Sequence, residues 1–266
     1  MSVRHNAPSP VRSVMTRRGA LAALALLAVA GCGGSDTITP HWDYDADGPD
    51  HWADLDKHYA TCRNGHAQSP IDLSDATESH PAGNIEIAYR PIPAATLTNN
   101  GHTIQATVPA DSGNRIVVDG TPFSLAQYHF HLPSEHTVDG AETAMELHLV
   151  HTDQTGRLAV LAVQLRAQDA TAPLSQVLTA SPDRVGATRT LSNTDPRTFL
   201  PDNLAQFRYQ GSLTTPPCTE GVEWIVLRTP SPVAIADVDR YRALFPHSNR
   251  PTQPRYGRPV VLAGTN

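Results

Sequence analysis

Gln127-Tyr128-His129-Phe130-His131 and Glu146-Leu147-His148-Leu149-Val150 decide how this chain is read. In both runs apolar and polar residues alternate, and branched or aromatic residues are frequent, which predicts two strands. Side chains two apart on a strand share a face. His129 and His131 therefore project together, opposite Phe130 and Leu132. Glu146, His148 and Val150 share one face, opposite Leu147 and Leu149. Asp139-Gly140 is a turn signal between the runs and folds the second strand back toward the first. Three imidazoles then converge on one point. Three histidines with a fourth position open to water is the donor set of a catalytic zinc, not of a structural one. A His-x-His pair alone arises by chance in a chain with 13 histidines, so the reading rests on the third histidine and on what surrounds it.

Working outward, QYHFHLPSEHTV (127–138) and ELHLVH (146–151) are accompanied by several further motifs. HWDYD (41–45), QSPIDL (68–73) and NNGHT (99–103) come before them. YQGSLTTPPCTEGVEW (209–224) and RPTQP (250–254) follow. Together, and in this order, these stretches resemble the α-class carbonic anhydrases over about residues 41 to 262. The resemblance implies a mostly β, single-domain fold: a large twisted, mainly antiparallel central sheet with short peripheral helices. It also implies Zn2+ on His129, His131 and His148, and reversible hydration of carbon dioxide to bicarbonate and a proton by a zinc-bound hydroxide. Weak esterase activity would accompany it.

The resemblance carries over to individual residues. Thr214 and Glu135 match the pair that orients the nucleophile. An ionised carboxylate can only accept, so Thr214 must donate to Glu135 and keeps only acceptor capacity for the metal ligand. Gln127 and Glu146 match the groups that orient His129 and His148 through their second nitrogens. For His131 the implied partner is a backbone carbonyl just ahead of Arg250-Pro251. His102 matches the proton shuttle, a role suited to imidazole. Val150, Val160, Leu213 and Trp224 match the apolar carbon dioxide pocket. Thr215 matches the polar side near bicarbonate, and Tyr44 a tyrosine that orders cavity water. Ser69-Pro70 and Pro216-Pro217 sit where the family has cis prolines. Similar bacterial members carry cysteines at the places of Cys62 and Cys218, which implies a disulfide; two buried free thiols are the alternative.

The N-terminus reads as an export signal. Arg12, Arg17 and Arg18 precede an apolar run, Ala20 to Ala30, too short to span a membrane. Val29-Ala30-Gly31-Cys32 resembles a lipoprotein cleavage box, which makes residues 1–31 a lipoprotein-type signal peptide and Cys32 the lipid anchor. Residues 32–40 form the anchor and a flexible tether, and residues 41–266 the enzyme domain. An ordinary signal peptide is the alternative, and Arg17-Arg18 hints at twin-arginine export. The expected location is the periplasmic or cell-surface side of a membrane, reached through the lipid alone. Removing residues 1–31 takes away four arginines and moves the formal charge from −6 to −10. An acidic domain without a basic stripe argues against nucleic acid as a partner. Small molecules are the expected partners; a homodimer is left open.

Strands are predicted at 85–89, 103–108, 115–118, 125–131, 144–151, 158–166 and 224–227, and short helices at 174–178, 203–207 and 236–245. Two rival functions compete with this reading. A non-catalytic zinc- or partner-binding lipoprotein on this scaffold would be expected to lack a ligand histidine, and all three are present. A metalloprotease or serine hydrolase would need His-Glu-x-x-His or Gly-x-Ser-x-Gly, and neither occurs.

Overall fold

The computed structural model describes residues 40–78 and 85–264. The export signal, Cys32 and most of the tether lie outside the described residues. The strands are β1 (Thr77–Glu78), β2 (Ile85–Ala88), β3 (Ile92–Asn99), β4 (Ile104–Thr107), β5 (Arg115–Val118), β6 (Thr121–His131), β7 (Met145–Thr152), β8 (Leu158–Gln168), β9 (Thr188–Thr194), β10 (Gln206–Ser212), β11 (Glu220–Ala234) and β12 (Val261–Ala263). They form one sheet in the order β1-β12-β10-β11-β8-β7-β6-β4-β3-β9, with β5 joining β2 to β6. Pairing is antiparallel except at β1–β12 and β8–β11. The helices are short and peripheral: α1 (Trp52–Leu55), α2 (Thr61–Asn64), α3 (Ser175–Thr179) and α4 (Ile235–Leu244). None of the described helices is long and apolar enough to cross a membrane.

The two faces of the sheet bury different things. Met145, Leu147 and Leu149 of β7, Leu161, Val163 and Leu165 of β8, and Ile225 and Leu227 of β11 build the larger core. Val150, Val160, Ala162, Trp224 and Val226, from the same strands, pack on the opposite face. This is the period-two alternation of a strand buried on both sides. β6 keeps to it only with a bulge. Leu125 pairs with His151 and Gln127 with Val150, so Ala126 is the extra residue. The bulge switches parity, so that Phe123 and Leu125 share the larger core with Tyr128 and Phe130. Gln127, His129 and His131 are thereby turned to the other face.

Seven predicted strands and two of three predicted helices stand within a few residues of their expected places. The helix expected over 203–207 is a correction. Asn203 Oδ1 accepts the Ala205 N–H at 2.9 Å, which closes a local turn in place of a helical one. From Gln206 the chain enters β10, where Phe207 pairs with Val226. The strand expected over 224–227 lies within the longer β11, and β1, β3, β9, β10 and β12 fall outside the expected strands. Along β9 only Leu191 and Thr194 are buried, and in β3 Ala95 and Leu97 alternate with Thr96 over too short a run to mark a strand. Cis bonds occur at Ser69-Pro70 and Pro216-Pro217, as the resemblance implies, and also at Leu132-Pro133.

Candidate metal centre

β6 and β7 pair in a register that sets His129 directly opposite His148 and His131 opposite Glu146. Ring centroids are 5.0 Å apart for His129–His131, 5.2 Å for His129–His148 and 4.5 Å for His131–His148. One nitrogen from each ring lies within 4.8 Å of the others. His131 and His148 are buried and His129 is partly so. Burial lowers the pKa of all three, that of His131 to about 3. The rings are therefore neutral at physiological pH, each with one lone pair to offer.

The other nitrogen of each ring is committed. His129 Nδ1–H donates to Gln127 Oε1 (2.8 Å), His131 Nδ1–H to the Ser248 carbonyl (2.6 Å) and His148 Nε2–H to Glu146 Oε1 (2.8 Å). These bonds select the tautomers and leave His129 Nε2, His131 Nε2 and His148 Nδ1 facing a common point. His131 Nε2 is buried without a hydrogen-bond partner. Such an orphan is costly unless something else occupies it. With one nitrogen each from His129 and His148 it makes a set of three neutral donors, which fits a metal ion that prefers imidazole and keeps a fourth position open.

Glu146 anchors this arrangement. Its Oε1 accepts from His148 and from His136 Nδ1 (2.6 Å), and its Oε2 from the backbone N–H groups of Glu135 and His136. Burial opposes its charge, yet His136 and the other donors hold its pKa well below the usual carboxylate range. His136 Nε2 shares a 2.7 Å bond with the Tyr209 hydroxyl, which lies 2.8 Å from Ser69 Oγ. His136, Glu146 and His148 also cluster closely enough to suggest a second metal group. Their atoms bond to one another instead, so that cluster serves the first.

Glu135 is buried beside His131 and His148. Its Oε1 accepts the Arg250 N–H at 2.9 Å. Burial pushes its pKa well up, against the pull of Arg250 and of the Thr214 hydroxyl. Thr214 is close enough to favour the charged form, but Glu135 Oε2 has no partner at bonding distance. Thr214 sits in a tight turn closed by Leu213 N–H to the Thr219 carbonyl and Cys218 N–H to the Thr215 carbonyl. A Cys62–Cys218 disulfide with a Cα–Cα distance of 5.0 Å clamps that turn to the N-terminal segment.

Val150, Val160 and Trp224 are buried together, with Leu213 packed against them, and the Trp224 ring lies 4.9 Å from that of His148. Thr215 is half-buried beside Thr214. His102 lies in a turn held by Asn100 Oδ1, which accepts the N–H groups of His102 and Thr103. Its ring stacks on Trp42. Tyr44 packs edge-on to Trp42 and Trp52, and burial together with nearby Glu135 raises its pKa. The structure thus gathers the three histidines, Gln127, Glu146, Glu135, Thr214 and the apolar group around one centre. Sequence reasoning missed His136, Tyr209 and the Arg250 backbone. His136 had a visible signal, since it follows Glu135 within the quoted motif.

Residues 47–263 match the family described as eukaryotic-type carbonic anhydrase. A carbonic anhydrase of Klebsiella pneumoniae is 40% identical over 247 residues, covering 92% of this chain and 97% of that one. One of Neisseria gonorrhoeae is 38% identical over 223 residues, covering 83% and 87%. The solved structure of the α-carbonic anhydrase of Thermovibrio ammonificans, a complex with the inhibitor sulfanilamide, superposes with a TM-score of 0.79 at 39% identity. It covers 84% of this chain and 99% of that one. With the sheet, the histidine centre and these likenesses in agreement, the chain belongs to the eukaryotic-type, or α, carbonic anhydrase family.

Proposed function

We propose that the protein is a zinc enzyme that reversibly hydrates carbon dioxide to bicarbonate and a proton, and weakly hydrolyses activated esters. The observation that carries this reading is the buried, unpartnered His131 Nε2 at the focus of three neutral imidazoles. Zinc on His129, His131 and His148 would supply a hydroxide nucleophile at neutral pH, because carbonic anhydrases are known to lower the pKa of metal-bound water to about 7.

The chain's own residues do the rest. A divalent cation nearby favours the charged form of Glu135, which then accepts only. Thr214 donates to it and turns an acceptor toward the cavity, so the site prefers an incoming oxygen that carries a proton. Val150, Val160, Leu213 and Trp224 offer a dry wall suited to a small apolar substrate. Thr215 gives the product a polar neighbour. His102 takes the released proton toward solvent. We further propose, from residues 12–32 alone, that a lipoprotein-type signal exports the chain and that lipidated Cys32 holds it on the periplasmic or cell-surface side.

The test is stopped-flow carbon dioxide hydration with zinc content measured on the same sample. Fast hydration with about one zinc per chain, both lost in His148→Ala, is expected. Zinc bound in full without hydration would favour a non-catalytic binding scaffold.

A further inference from the structure

β6 outruns its neighbour β4 close to the histidine centre. The β4–β6 ladder ends where Gln105 pairs with His129. Phe130 and Leu132, which flank His131, lie past that end. Backbone groups buried there without partners would cost free energy and leave the end of the strand free to shift.

Three buried hydroxyl side chains from separate parts of the chain, Thr103, Tyr241 and Ser248, supply the partners. Phe130 N–H donates to Thr103 Oγ1 (3.2 Å), and the Phe130 carbonyl accepts from the hydroxyls of Thr103 (2.7 Å) and Tyr241 (2.8 Å). Beyond His131, Leu132 N–H donates to Ser248 Oγ (3.1 Å) and the Leu132 carbonyl accepts the Ser248 N–H (2.7 Å). The Tyr241 oxygen lies 3.1 Å from Thr103 Oγ1 and 3.3 Å from Ser248 Oγ. Its own proton goes to Phe130, so it accepts from Ser248, and the three hydroxyls form one connected unit.

His131 needs such support more than its two companions do. Gln127 and Glu146, which orient His129 and His148, stand on the same strands as the rings they hold. His131 Nδ1–H donates instead to the Ser248 carbonyl at 2.6 Å, across 117 residues of chain. Ser248 thus holds both the ring of His131 and the peptide that follows it, and Tyr241 ties Ser248 to the peptide that precedes it.

We propose that Thr103, Tyr241 and Ser248 are positioning residues that set the pose of His131 and, through it, the affinity of the metal centre. The proposal rests on the reading of His129, His131 and His148 as zinc ligands.

The experiment compares the protein with its Tyr241→Phe, Ser248→Ala and Tyr89→Phe variants. Zinc affinity is read by competition with a chelator, and solvent exchange of the imidazole N–H protons of the zinc-loaded protein by NMR. Ser248→Ala keeps the carbonyl that His131 uses. Tyr89→Phe also deletes a buried hydroxyl, the one bonded to His151, and controls for general loosening. Tyr241→Phe and Ser248→Ala should each bind zinc about three- to tenfold more weakly, less than the loss from removing a group that touches a ligand directly. His131 Nδ1–H should exchange faster in both, while His129 Nδ1–H and His148 Nε2–H hold their rates. Tyr89→Phe should change neither readout. Zinc affinity and exchange unaltered in Tyr241→Phe and Ser248→Ala would overturn the proposal and leave the metal reading standing. Faster exchange at all three rings, or equal weakening in Tyr89→Phe, would overturn it in favour of a merely structural role. Failure of the unaltered protein to bind zinc would overturn the metal reading and this proposal with it.

Discussion

His129 and His148 face each other directly across the β6–β7 ladder, ring centroids 5.2 Å apart, and each is turned by a different acceptor. Gln127 Oε1 takes His129 Nδ1, and Glu146 Oε1 takes His148 Nε2. The pair therefore presents Nε2 from one strand and Nδ1 from the other to the same point. Two identical tautomers would not meet there with equal reach, so the acceptors decide the geometry as much as the ladder does.

His136→Ala tests the deepest part of this support. It removes one donor from Glu146 and leaves the Tyr209 hydroxyl short of a partner in a buried network. Stability should drop by about 2–4 kcal/mol, the range for breaking a buried, partly charged network. Zinc affinity should weaken by roughly 10- to 100-fold, as for other groups that orient a ligand. Urea unfolding and a zinc titration read the two effects separately.

Thr214→Val keeps the shape of the side chain and removes its hydroxyl. Zinc content should stay at about one per chain, since no ligand changes. kcat/KM for carbon dioxide should fall by about two orders of magnitude, comparable to losing one preorganised hydrogen-bonding group in an active site. Retained kcat/KM would show that Glu135 and Thr214 do not act as a pair.

His151 sets a pH dependence independent of the metal. It is buried, its Nε2 accepts from the Tyr89 hydroxyl (2.8 Å), and burial lowers its pKa to about 3. Unfolded, it titrates near 6.5. Between these values the unfolded chain binds more protons, so stability is full above about pH 6.5 and declines as pH falls toward 3. The loss across that window is on the order of a few kcal/mol. Unfolding free energies at pH 4, 5, 6 and 7 should show a shallower slope in His151→Gln, which has no charge to gain.

Reduction of the Cys62–Cys218 bridge, or Cys62→Ser with Cys218→Ser, should cost about 2–5 kcal/mol, as expected for a long closed loop. Zinc should remain bound, because the bridge touches none of the three histidines. Thermal unfolding with and without reductant, alongside metal analysis, checks both statements.

Much of the site was legible because strand geometry is local. The two-residue repeat alone brings His129 beside His131 and sets Glu146 and His148 on one face. The long buried strands were legible for the same reason. β9 was not, since only Leu191 and Thr194 along it are buried, and in β3 the alternation of Ala95 and Leu97 about Thr96 is too short to stand out. The turn at Asn203 was misread because a side-chain acceptor closes it.

The sequence by itself determined the three candidate histidines, their strands and the family. The tertiary structure alone decided which nitrogen each of these histidines turns to the common point and what lies behind it. Ser248 reaches His131 across 117 residues of chain, and the Arg250 N–H reaches Glu135 across 115. The Trp42 ring that covers His102 arrives from the far N-terminal side of the described domain. Such contacts depend on how whole loops close over the sheet, and that closure is set by packing of the entire core, not by any local repeat.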